Sequence, residues 1–108
     1  MLDLYYTDPS TTDMPGDPGS LELAGSIDLA AHRSLAVLFD KGSQAGAGLK
    51  YFEDSLLQPA QVATLMKIFM ANARELGGNR QALAAFEAMR GIFEAALAKG
   101  AGLVAFSD

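Results

Sequence analysis

The chain has 108 residues, half of them apolar, with a net charge of −5 and no cysteine. That length suits one domain around one core and is short for two. The absence of cysteine excludes a disulfide framework and a thiolate zinc site, and the acidic balance argues against nucleic acid as a partner.

The charge is unevenly placed. Residues 1 to 28 hold six acids and no base, whereas residues 29 to 108 hold seven acids against eight bases. Binding phosphate needs a concentrated basic face, and here the lysines and arginines are scattered among acids. An acidic N-terminal third favours basic protein partners. It is also what a solvated surface that keeps a protein soluble looks like.

In chain order, Met1 to Tyr6 alternates, with Leu2, Leu4 and Tyr6 on one side and Asp3 and Tyr5 on the other, the period of a half-buried strand. Residues 7–20 form an acidic loop that carries Asp8, Asp13 and Asp17 together with Pro9, Pro15 and Pro18. Those prolines lack a backbone donor and push the residues before them out of helical space, so neither ladder continues. Leu21 to Ala24 reads as a second short strand. Ser26 then has the chemistry of a helix N-cap with Asp28 in the first turn, and Ala31, Leu35, Leu38 and Phe39 fall on one face of a first helix that ends near Lys41. Residues 42–48, with three glycines, read as a flexible connector.

The second helix has a stripe of Val62, Leu65, Met66, Phe69, Ala73 and Leu76, stopped by Gly77-Gly78. Two starts compete one turn apart: a capping box at Ser55 to Gln58, or Pro59 at the first helical position. On this helix Ile68 is expected to face outward, either under the N-terminal loop or first helix, or as an anchor for a partner. Asn79 caps a third helix with Leu83, Phe86, Met89, Phe93 and Leu97 as its stripe and Gly100 at its end. Gly91 in mid-helix, with Ala84, Ala88 and Ala95 on the same side, suggests a close approach there, by a neighbouring helix or by a partner. Residues 103–106, "LVAF", are too few for an isolated strand and are expected to pair with Met1 to Tyr6. The fold expected is therefore α+β, a three-helix layer on a small antiparallel sheet made by the two terminal segments, in a single domain of residues 1–108; an all-α bundle with loose ends is the alternative.

Catalytic chemistry finds little support. His32 is the only histidine, there is no thiol, and no serine sits in a nucleophile elbow. Asp28, one turn before His32, makes either an acid–base pair or an ordinary surface contact. The glycines before Lys50 lack phosphate-loop spacing. Counted as a calcium loop from Asp13, proline falls at positions 3 and 6 and alanine at 12, so no metal or other cofactor is expected. No run approaches the roughly 18 apolar residues of a membrane span. Met1-Leu2-Asp3 has neither a basic n-region nor an apolar h-region, so the expected location is cytoplasmic, away from membranes.

The segment "LKYFEDSLLQPAQVATLMKIFMANA", Leu49 to Ala73, resembles a stretch in small bacterial immunity proteins of polymorphic and type VI secreted toxins, in which an aromatic-acidic "YFED" precedes "L-x-P-x-x-V" and an apolar helix. The resemblance covers about a quarter of the chain, and the acidic proline loop has no counterpart in it. It implies a non-catalytic protein that occludes the active site of a toxin made by the same cell. A basic toxin cleft would meet an acidic face of Asp8, Asp13, Asp17, Glu22, Glu53 and Asp54, with Tyr5, Tyr6, Tyr51 and Ile68 as anchors. The tyrosines equally suit sheet and core packing. A dimeric adaptor or chaperone subunit joined through the alanine-rich third helix is the alternative, and an enzyme using carboxylates a more distant one.

Overall fold

A computed structural model of the chain describes residues 1–107. The alternating N-terminal segment forms β1, Leu2–Thr7, with Leu2 and Leu4 fully buried. It is a central strand, bonded antiparallel on one side to β2, Leu23–Ile27, and on the other to β4, Gly102–Ser107. The β1–β4 register runs without a break from Leu2 opposite Ser107 to Thr7 opposite Gly102. A short edge strand, β3, Ser55–Leu57, completes the order β2-β1-β4-β3. The α+β arrangement and the union of the two terminal segments are as expected.

The helices lie on one face. Leu2, Leu4, Ile27, Leu57, Leu103 and Ala105 point from the sheet into a core with buried residues from the helices. The region expected to form the first helix is instead two: α1, Leu29–Ser34, and α2, Ala36–Gln44. The Ser34 hydroxyl donates to the Ala31 carbonyl at 2.7 Å, and the Leu35 amide bonds back three residues to His32. Such back-bonding bends a helix. The bend lets α1 pack on α4 while α2 packs on α3.

Three local expectations change. Ser26 is a β2 residue whose hydroxyl donates to Asp3 across the strand pair at 2.6 Å, and the cap of α1 is Asp28, which accepts from the Ala31 amide. Ser55 belongs to β3 and not to a capping box: α3, Pro59–Asn72, is capped by Gln58, and Gln58 and Gln61 bond reciprocally. The connector at 42–48 begins inside α2, where Gly42 is buried at the crossing with α3 and a Cβ would lie 2.5 Å from Leu65 Cδ1.

In α3, Val62, Leu65 and Phe69 are buried as read, and the chain tightens into a 3₁₀ turn, Ala73–Leu76, before the glycines. Helix α4, Arg80–Lys99, starts at the Asn79 cap and ends on left-handed Gly100, also as read. Its buried stripe is rotated: Ala82, Ala85, Phe86, Met89, Ile92, Phe93 and Ala96 face the core, while Leu83 and Leu97 are 41% and 37% exposed. Alanines on the inner face let the helix sit close to its neighbours. Gly91 falls on the outer side with no atom within 4 Å of a Cβ built there, so no close packing inside the domain explains it.

Candidate binding site

The opposite face of the sheet carries one row from all four strands, in which Tyr5 is paired with Leu23 and Val104, and Val104 with Leu56. The Tyr5 ring meets Phe106 edge-on at 5.9 Å. Tyr6 points the other way, packs against the core and lies under Lys99, whose Nζ is 5.0 Å from the ring centroid. Tyr51 packs on the core from the segment after α2. The three tyrosines thus lie on three separate surfaces.

The carboxylates also divide. The acidic loop leaves β1 at Thr7 and returns at β2, so Asp8, Asp13, Asp17 and Glu22 lie at one end of the sheet. Asp54 accepts from the Ser107 amide at 2.8 Å, beside Leu2 at the other end, and Glu53 pairs with Lys50 at 4.0 Å. The length of β1, about 17 Å, separates the two groups. The six acids do not make one face.

Within the loop, two aspartates bond their own backbone. Asp8 Oδ1 accepts from the Ser10 hydroxyl at 2.5 Å and from its amide at 2.8 Å, and these bonds hold its carboxyl below the ordinary carboxylate value. Asp17 accepts from the Gly19 amide at 2.8 Å. The loop is tied down by the Tyr6 amide on the Glu22 carbonyl and by the Gln58 amide on the Thr11 carbonyl. Glu22 pairs with Lys99 at 3.7 Å. Among the described residues no lysine or arginine pairs with Asp8, Asp13 or Asp17. Ile68 is half-buried on α3, and its carbonyl accepts from the Asn72 side chain.

A cleft of about 540 Å³ is not anticipated by the sequence pattern. Its walls come from α1, α2 and residues 49–52. A file of rings leads out of the core to it: Phe69 meets Phe39 edge-on, Phe39 stacks on His32, His32 meets Tyr51, and Tyr51 meets Phe52. The last ring, Phe52, is 72% exposed. His32 Nε2 lies 2.9 Å from the Leu49 carbonyl. A carbonyl only accepts, so Nε2 carries the proton. Asp28 caps α1 and does not hold the imidazole. Arg33 and Lys50 line the cleft, with Asp40 as its one acid. The signal in the sequence is Phe52 itself, an apolar ring between Lys50 and Glu53 that matches no helical stripe.

Among the described residues no three metal-ligating side chains converge, and no helix is long and apolar enough to cross a membrane. No family model, no curated protein and no solved structure matches the chain.

Proposed function

We propose that the chain is a non-catalytic inhibitor of the immunity type, which blocks a basic toxin domain by docking its acidic loop end-on. The observation that carries this reading is the state of Asp8, Asp13 and Asp17. They are exposed, free of cationic partners among the described residues, and carried on a loop that its own side chains hold in turns. Unpaired surface carboxylates steer a basic partner, and a loop already in its turns loses less entropy on docking. Glu53 and Asp54, at the far end, take no part in this version of the interface. Tyr6, Glu22 and Lys99 form its rim.

The test is rescue of growth. In cells expressing a candidate toxin domain from a neighbouring reading frame, the wild-type protein is expected to restore growth, and the combined Asp8→Lys, Asp13→Lys, Asp17→Lys variant to lose at least about tenfold in association rate at low salt. Equal rates and equal salt response for the two would defeat the proposal.

A second reading is a dimeric adaptor, favoured by the outer side of α4. Ala84, Ala88 and Gly91 are exposed there beside Leu83. A dimer in the absence of any partner, abolished by Gly91→Leu, would support it.

A further inference from the structure

The molecule has two unlike surfaces. On one, the loop presents Met14, 37% exposed, between the unpaired carboxylates of Asp13 and Asp17. On the other, the cleft presents the exposed ring of Phe52 with two cations, Arg33 and Lys50, in the same lining. Among the described residues Arg33 has no ion pair, and Lys50 reaches Glu53 only at 4.0 Å, with both side chains mostly exposed, a weak contact. With Asp40 counted, the cleft lining keeps a net positive charge in a chain whose total is −5.

Those two surfaces are complementary in kind. A flexible thioether packs well against aromatic rings, and carboxylates on either side of it match arginine and lysine beside a phenylalanine. The exposed ring of Phe52 in the lining offers a loop of a larger body an apolar surface to pack on. No residue of the chain's own loop, 7–20, lines the cleft.

We propose that the aromatic-basic cleft of one molecule receives the acidic loop of a second copy, Asp13 to Asp17, in a head-to-tail contact. The contact is heterologous, with a different patch on each partner, so it does not close at a dimer: the dimer keeps one free loop on one copy and one free cleft on the other. The surface involved is small, so the association is weak and concentration-dependent. The inference is independent of the inhibitor reading, because its test needs only the purified chain.

Sedimentation velocity on the full chain tests it. The average mass is expected to rise with concentration past that of a dimer, and the association constant to fall about tenfold between roughly 0.05 and 0.5 M salt, because the contact is between exposed charges. Two variants are each expected to remain monomeric: Phe52→Ser in the cleft, and Asp13→Asn, Met14→Ser, Asp17→Asn in the loop. All four positions are exposed, and circular dichroism checks that both variants fold. Mixed in equal amounts, they are expected to stop at a one-to-one dimer, since the first retains only its loop and the second only its cleft. A monomer at every concentration up to about the millimolar range would overturn the proposal, as would association that survives in both variants. Association lost instead on Gly91→Leu would assign the contact to α4 and equally overturn it.

Discussion

The imidazole of His32 lies flat on the ring of Phe39, their centroids 4.2 Å apart and their planes 2° from parallel, while its Nε2–H donates to the Leu49 carbonyl. One side chain therefore joins α1, α2 and the segment that leads to Tyr51. The ring is engaged on its flat face and at its donor nitrogen.

From this, His32→Ala is expected to lower stability by about 2–4 kcal/mol, from the lost ring and an unsatisfied carbonyl together. His32→Phe keeps the stack and loses only the hydrogen bond, at about 1 kcal/mol. Urea denaturation followed by circular dichroism separates the two; equal losses would show that stacking contributes nothing.

Gly42 and Gly91 are both helical and are expected to respond in opposite directions to alanine. At Gly91 the Cβ meets nothing within 4 Å, so Gly91→Ala should raise stability by about 0.5–1 kcal/mol through helix propensity and a less free unfolded chain. At Gly42 the same gain is opposed by a clash with Leu65 Cδ1 and by the Ala47 carbonyl at 3.0 Å. Overpacking of that kind costs about 1–3 kcal/mol, so Gly42→Ala is expected to destabilise. Thermal midpoints of the two variants check the sign.

Asp8 has a lowered folded-state pKa, caused first by the Ser10 hydroxyl and then by the Ser10 amide. A depressed carboxyl stabilises the folded turn at pH values above its unfolded pKa, and that stabilisation is lost as pH falls through the lower folded value. Ser10→Ala is expected to move the Asp8 midpoint upward, toward the ordinary value, in a carbon-detected NMR titration. Because Asp8 is fully exposed, the consequence is local to the loop, and the global unfolding midpoint at neutral pH should stay within error.

Asp54 bonds the last described strand residue, Ser107, from the turn before β3. Asp54→Ala is expected to cost about 0.5–1.5 kcal/mol, and Asp54→Asn, which keeps an acceptor oxygen, less. Neither should alter the association rate with a basic partner at the loop end. A slowed association in Asp54→Asn would show that the two acidic groups work as one surface after all.

Much of the architecture was legible locally. Alternation in Met1 to Tyr6 marks a strand, Asn79 and Gly100 mark the limits of α4, and the spacing from Val62 to Phe69 marks the buried side of α3. Apart from the pairing of the two terminal segments, which the shortness of residues 103–106 implied, features whose cause lies far away in the chain left no local sign. Ser55 to Leu57 has no periodicity of its own and is a strand only because β4 supplies partners some 50 residues later. Leu83 and Leu97 fit a helical stripe as well as their inward neighbours do; the contacts of α4 chose the alanine side.

The same division holds for the surface. The sequence alone determined that the acids are concentrated before residue 29 and that the loop can join no ladder, because charge count and proline chemistry are properties of the residues themselves. Only the tertiary structure decided that Glu53 and Asp54 lie at the other end from that loop, and that His32, Phe39, Tyr51 and Phe52 gather into one cleft. Antiparallel pairing of the first strand with the last set those distances, and no local spacing encodes where two separate strands will meet.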